Sequence, residues 1–385
     1  MPVVKADAYG HGAGQVARSL AREGAPMFAV AVVEEGLELR RAGVTQPILV
    51  MGWIGKDQLG SLVDGGLTAN IHSVDQGEEL RDFLEGEEGK GAAGERRRAD
   101  VSSRLPLPVH LKLDTGMTRL GVLPADLPRV LDLLEALKTK RKIFLEGVFQ
   151  NYASADDPGG AQTEAQTRVF LEGLKAIRAA GFRPPMIHTD NSAATLSRFS
   201  SSPSKKSSFS LFEISHVRPG LSLYARVPGV PGLSEAETPL SDVMSFVSVV
   251  DQVKTVPPGT RVGYGGTFVA ARTTTLAIVP AGFADGVPRH LSGRGHVLVG
   301  GRRCPLAGRV SMDLAAVDVT DLPARPARGD EVVFFGRQGD ARLGVEEVAA
   351  AAGTVSWEIL CGVGPRVPRI ILSGGQIVAQ ESKFL

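Results

Sequence analysis

The sequence predicts an α/β fold in which an N-terminal (β/α)8 TIM-type barrel is followed by a mostly β C-terminal domain. Three observations carry that expectation. Up to residue 233, short apolar runs alternate with stretches of helical period, and eight such runs can be counted. From residue 234 onward the runs are β-rich and separated by Gly and Pro, with little helix between them. Lys5 follows two β-branched residues, Val3 and Val4, which places it near the carboxyl end of the first strand, where barrels keep their active sites.

The eight candidate strands are Val3–Lys5, Met27–Val33, Pro47–Met51, Leu67–Ile71, Pro108–Leu113, Phe144–Tyr152, Met186–His188 and Val217–Tyr224. Helical stretches such as Glu34–Arg41 and Ala165–Ala180 lie between them, with apolar residues recurring at three and four. Periodicity alone fits a doubly wound sheet equally well, and it is the count of eight that favours the barrel. In the second domain the expected strands are Ser245–Val250, Thr275–Val279, His296–Val299, Ala315–Val319 and Glu331–Phe335, with one helix over Gly344–Ala352. The expected domains are therefore 1–233 and 234–385. Gly86–Ser103, with Arg96-Arg97-Arg98 at its middle, and Ser200–Ser210 read as solvated surface insertions.

Composition narrows the function. Across 385 residues, 43 Lys and Arg stand against 42 Asp and Glu, a formal net charge of +1. Phosphate-backbone affinity needs an excess of positive charge, so a sequence-independent nucleic-acid binder is excluded. No apolar run approaches the roughly 20 residues that span a bilayer, and no membrane partner is expected. Cys304 and Cys361 cannot build a disulfide framework, which fits a reducing cytosol. No charged and apolar leader precedes Val3, so no signal peptide is read. No metal site is expected. The composition is that of a globular protein acting on a small molecule.

The densest chemical signal is Val3-Val4-Lys5-Ala6-Asp7-Ala8-Tyr9-Gly10-His11-Gly12. A strand-end lysine is costly to desolvate unless it is used, and one use is an imine with an aldehyde cofactor. The alternative is a lysine that reaches solvent; Tyr9 and the Gly10-His11-Gly12 turn weigh against it.

This decapeptide resembles the pyridoxal-phosphate lysine motif of alanine racemases. Lys112-Leu113-Asp114-Thr115-Gly116-Met117-Thr118-Arg119-Leu120-Gly121 is similar to the family's second barrel signature. Asn191-Ser192-Ala193-Ala194 and Arg218-Pro219-Gly220-Leu221 resemble its third and fourth, and Gly263-Tyr264-Gly265 and Ser311-Met312-Asp313 its last two. The resemblance runs from residue 2 to about residue 372, in the family's order and spacing.

The resemblance implies a homodimer with shared active sites that interconverts L- and D-alanine with pyridoxal 5'-phosphate, supplying D-alanine for peptidoglycan. Lys5 would hold the cofactor and act as one base at Cα, and Tyr264 from the partner subunit would be the other. An unperturbed phenol, with a pKa near 10, is a poor base at neutral pH and needs positive charge nearby. Arg218 would face the pyridine nitrogen; as a permanent donor it leaves that nitrogen unprotonated, which discourages transamination. Tyr9, the Ser192 hydroxyl and the N–H groups around Gly220 and Leu221 would hold the phosphate. Arg119 would grip the phenolic oxygen and the substrate carboxylate, and Met312 from the partner subunit would offer its N–H to that carboxylate. Lys112 aligns with a family lysine that is often carbamylated.

Three departures stand out. Gln150-Asn151-Tyr152-Ala153 puts Asn151 where the family often has a histidine over the cofactor ring. Pro365, ahead of Arg366-Val367-Pro368-Arg369, replaces the usual tyrosine, which removes a phosphate donor and opens substrate access. Family members also usually begin one strand and one helix earlier, and without these, apolar surface is expected to be exposed. Two other readings stay open. Pro365 and Asn151 motivate a racemase of broader specificity, for serine or basic amino acids. A non-catalytic pyridoxal-phosphate carrier shares the barrel lysine, but lacks the second domain and its Tyr264.

Overall fold

A computed structural model describes residues 1–86, 104–157, 160–198, 214–227 and 240–382. The chain divides into two compact units. The first comprises Met1–Ala8 and Ala13–Leu223; the second takes Tyr9–Gly12, residues 224–227 and the chain from Leu240 onward. The two candidate insertions lie outside the described residues, apart from Gly86.

Parallel strands alternate with helices throughout the first unit. The strands are β1 (Phe28–Val30), β2 (Ile48–Val50), β3 (Ala69–Ile71), β4 (Leu107–Lys112), β5 (Ile143–Phe149) and β6 (Met186–His188). The turn α1 (Lys5–Gly10) precedes the helices α2 (Ala13–Arg22), α3 (Val33–Arg41), α4 (Leu59–Asp64), α5 (Val74–Gly86), α6 (Leu127–Thr139), α7 (Ala161–Ala179) and α8 (Ser192–Arg198). β1 pairs with β2, and β3 to β6 form a second parallel sheet. Single parallel bridges complete the ring: Leu49 to Thr68 joins the two sheets, while Val3 to Ala29 and His188 to His216 add the first and last runs. The Met1 nitrogen donates to Val217 O at 3.0 Å and Val3 N–H to Pro219 O at 2.9 Å, closing the barrel.

All eight expected runs therefore contribute to the ring, but the first and last do so by single contacts. The first stops short because the chain turns at Lys5. The last, expected over Val217–Tyr224, pairs at His216 and then enters a 3-10 turn over Leu221–Leu223; Pro219 has no N–H to continue a ladder. β1, β2 and β3 are buried at every position, so each reads as a continuous short run rather than an alternation. Helices cover the strands with apolar stripes: α3 lies on β1 and β2, and Leu127, Val130, Leu131, Leu134 and Leu137 of α6 form the buried face of a helix that lies on β5.

The second unit is antiparallel. Its strands are β7 (Phe246–Val249), β8 (Gln252–Val256), β9 (Arg261–Val262), β10 (Phe268–Val269), β11 (Thr274–Val279), β12 (His296–Val299), β13 (Arg302–Pro305), β14 (Ala315–Asp318), β15 (Glu331–Gln338), β16 (Ala341–Leu343), β17 (Arg369–Ser373) and β18 (Gln376–Glu381). β11 lies between β14 and β8, and β15 pairs with β12, β16 and β7. The helices α9 (Val345–Ala352) and α10 (Ser356–Gly362) follow β16. β17 and β18 form a separate ribbon that leaves Ile370, Leu372, Ile377 and Val378 exposed.

The turn α1 has an unusual hand. Ala6, Asp7, Ala8 and Tyr9 have φ between +51° and +54°, so it is a left-handed helical turn built without glycine until Gly10. Such a conformation costs an L-residue about 1–2 kcal/mol, and the surroundings must hold it. Ala8 N–H donates to Val4 O, Asp7 Oδ1 accepts the Ala13 N–H at 2.7 Å, and Glu35 Oε1 accepts the Ala6 N–H at 2.6 Å. The other oxygen of Glu35 accepts from Ala31 and Val32, so one carboxylate ties α1 to the start of α3. An alanine-to-glycine change normally destabilises, but at exposed Ala6 it removes the strain. Ala6→Gly is expected to stabilise the fold by about 0.5–1 kcal/mol and Ala6→Val to destabilise it by more than about 1 kcal/mol. Chemical denaturation of the two variants checks the sign.

Candidate active site

Lys5 is half-buried at the start of the left-handed turn, where the first barrel run ends. Lys112 closes β4 and is buried; its pKa falls from 10.5 to about 8. Burial is the main cause, followed by the positive charges of Arg119 and Arg218, with Lys5 adding to them and Asp114 opposing. Four cationic side chains of the first unit thus converge at the carboxyl end of the barrel. Phe149, the register partner of both Lys112 and His188, lies among them. Its ring centroid is 5.6 Å from Lys112 Nζ and 5.3 Å from Arg218 Cζ, and it stacks on the His188 ring at 4.7 Å.

Arg218 is 4% exposed, and its pKa is lowered to about 10 by burial. Nη1 donates to His188 O at 2.6 Å and His188 Nδ1 at 2.8 Å. Nη2 donates to Gln150 O at 2.6 Å and Thr189 O at 3.0 Å. A guanidinium has five donors; with these four engaged, Nε–H is the one left without a hydrogen bond among the described residues.

Ser192, at the start of α8, accepts on Oγ the N–H of Gly220 at 2.9 Å and of Ser222 at 3.2 Å. The Gly220 N–H expected for phosphate therefore points at the Ser192 hydroxyl, and Leu221 is buried beside it. Asn151 donates to Met117 Sδ and Tyr152 O, so it packs against the Met117 side chain. Arg119 is exposed and makes no hydrogen bond among the described residues.

Three expected residues belong to the second unit. Tyr9 stacks on Tyr224 with ring centroids 5.0 Å apart, and burial raises its pKa to about 12, keeping the phenol protonated. Tyr264 is 72% exposed on a tight turn, and Met312 is 55% exposed. Exposed Phe283 and Leu314 belong to the same loops: Phe283 N–H donates to Ser311 O, and Ala284 N–H to Met312 O. A Cβ on Gly282 would lie 2.2 Å from Met312 O, so only glycine fits there. Arg366 fixes both loops, donating to Asp285 Oδ1 at 2.7 Å and Asp313 Oδ1 at 2.7 Å. Pro365, just before it, is exposed.

The sequence reading missed Glu35, Phe149, His188, Asp285 and the Arg366 clamp. Only Arg366 carried a signal, through its Arg-Val-Pro-Arg context. No group of three His, Cys, Asp or Glu with metal-holding geometry occurs among the described residues.

A closed parallel barrel with a cation-lined carboxyl end, continued by an antiparallel domain, defines the class: a two-domain barrel enzyme for an anionic small molecule. Comparison with known proteins names it further. Residues 1–228 match the family model described as alanine racemase, N-terminal domain, and residues 243–371 the one described as its C-terminal domain. An alanine racemase of Symbiobacterium thermophilum is 38% identical over 373 residues, covering 96% of this chain and 89% of its own. The crystal structure of alanine racemase from Bacillus anthracis with bound L-Ala-P superposes with a TM-score of 0.84 at 31% identity, covering 100% of this chain and 90% of its own. That of the Bartonella henselae alanine racemase with covalently bound pyridoxal phosphate superposes at 0.76 and 27% identity, covering 94% and 89%. The chain belongs to the alanine racemase family and is a racemase, an isomerase.

The lowered pKa of Lys112 has a pH signature. Between about pH 8 and pH 10.5 the unfolded chain keeps a proton on this amine that the folded protein has released. Stability therefore rises with pH across that window, by roughly 3 kcal/mol at most. Denaturation in carbonate-free buffer should show this gain in the wild type and not in Lys112→Met.

Proposed function

We propose that the protein interconverts L- and D-alanine as a homodimer, with pyridoxal 5'-phosphate held at Lys5. The observation that carries the reading is the convergence of Lys5, Lys112, Arg119 and Arg218 at one barrel end. That donor set fits a phosphorylated aldehyde and a substrate carboxylate, both anionic. The single remaining donor of Arg218 fits one ring nitrogen acceptor. Bound there, the cofactor would supply the electron sink that makes the Cα proton acidic.

The chain's own residues divide the remaining work. Lys5 carries the cofactor and exchanges a proton at one face of Cα. Tyr264 of the partner subunit serves the opposite face, because inversion needs proton removal and return on different sides. Its exposure, together with that of Phe283, Met312 and Leu314 in the same unit, supports a surface that a second copy covers. Arg119 and the N–H of the partner subunit's Met312 bind the substrate carboxylate. Tyr9, the Ser192 hydroxyl and the Leu221 N–H hold the phosphate, the Gly220 N–H being given to Ser192, and Lys112, as an amine or a carbamate, orients Arg119. Asn151, fixed on Met117, borders the ring without an imidazole. A cytoplasmic role in supplying D-alanine for peptidoglycan follows from this reaction.

A second reading, a racemase accepting larger amino acids, is favoured by exposed Pro365 in place of a tyrosine. Comparing turnover of alanine, serine, lysine and arginine separates the two.

The purified protein is expected to show a visible absorbance band that borohydride abolishes, leaving the label on Lys5. In D2O, deuterium should enter Cα of both alanine enantiomers. Tyr264→Phe should lower kcat by about 10²–10⁴-fold with the band intact. Activity should track dimer concentration on dilution, and full activity in a monomer would overturn the shared site.

A further inference from the structure

Arg218 is the first member of a buried chain of hydrogen bonds that runs through the barrel. His188 Nδ1 faces Arg218 Nη1 at 2.8 Å, His188 Nε2 faces His110 Nδ1 at 2.8 Å, and His110 Nε2 faces Glu146 Oε2 at 3.2 Å. Both imidazoles are fully buried, and Glu146 keeps a minor exposure.

Donor accounting fixes every proton in this chain. A guanidinium can only donate, so His188 Nδ1 must be the acceptor. A neutral His188 then carries its proton on Nε2 and donates to His110 Nδ1. His110 in turn carries its proton on Nε2 and donates to the Glu146 carboxylate. Burial, with the charge of Arg218, lowers both histidine pKa values, in keeping with neutral rings. The aligned dipoles run from a permanent cation to an anion, the order in which each bond strengthens the next.

Two backbone features serve this chain. The ladder between β4 and β5 pairs Val109 with Leu145 and His110 with Gly147, so Glu146 is an extra residue in a β-bulge. Bulges re-aim side chains, and this one brings a carboxylate to His110. At Gly147 a Cβ would lie 2.5 Å from His110 Nδ1, so the ring occupies space that any other residue would fill.

We propose that His110 and Glu146 are positioning residues for Arg218: Glu146 sets the tautomer of His110, His110 sets that of His188, and His188 can then accept from Arg218. Without the terminal acceptor, His110 is free to move its proton to Nδ1. That would turn His188 around and set two donors against each other at Arg218. The proposal rests on the reading that Arg218 serves the cofactor's ring nitrogen, because only then does its placement affect turnover.

The test uses the holoenzyme labelled with 15N-histidine, together with E146Q, which keeps an acceptor oxygen, and E146L, which removes it. In the wild type and E146Q, both His110 and His188 should be neutral with the proton on Nε2. In E146L these signals should shift to the other tautomer, kcat should fall about tenfold with KM nearly unchanged, and E146Q should retain most of the rate. A wild-type spectrum with either ring protonated on Nδ1 would overturn the proposal. So would an E146L enzyme with unchanged tautomers and turnover. If E146L does not fold, the wild-type tautomers and the kcat of E146Q decide. Failure of the cofactor reading is seen separately, as absence of a borohydride-reducible link at Lys5; a tautomer shift in E146L without loss of kcat overturns the role assigned to the chain.

Discussion

Arg218 keeps its charge at neutral pH and is almost sealed from water, so the barrel has to be built around its needs. Its four Nη donors are met by Gln150 O, His188 O, Thr189 O and the His188 ring. Its own N–H donates to Asp190 O. These acceptors stand just past the ends of β5 and β6, where the chain leaves the sheet. One side chain thereby fixes the exit path of two loops, and Asn151 and Ser192 lie on those same loops. Removing one member of such a buried charged network is strongly destabilising, because it leaves the other polar groups without partners.

The same logic of enforced geometry applies at Lys5. A left-handed turn of non-glycine residues would not persist alone, and the Glu35 carboxylate holds it by accepting three N–H groups. The arrangement makes the strand end abrupt, so the lysine emerges from the barrel at a defined place rather than from a frayed terminus. Strain of this kind is common where a side chain must be presented to a site.

How much of this could be read from the sequence depended on burial. β1 and β2 are buried on both faces and announce themselves as apolar runs. β8, with Gln252 and Lys254 interrupting its apolar residues, sits at a sheet margin and shows no such run. Lys5, Arg218 and Tyr264 were legible because each lies in a motif with glycine or proline beside it. His110 and His188 were not, since a lone histidine inside an apolar strand looks like core. Glu146 was hidden more deeply still: a bulge leaves no periodic trace, and its partner is 36 residues away. Pairings at that distance are a matter of topology, which local pattern does not encode.

The Tyr9–Gly12 turn belongs with the second unit, where Arg369 Nε–H donates to Gly10 O across 359 positions and a Cβ on Gly10 would strike Leu360 O. The second unit is thus assembled from two segments more than 200 positions apart in the sequence. During synthesis its earliest piece leaves the ribosome first and waits for its latest, so the barrel is made while the antiparallel unit is incomplete. A protease cut between the two would not yield two intact halves, because the C-terminal fragment would lack the Tyr9–Gly12 turn that belongs to its fold.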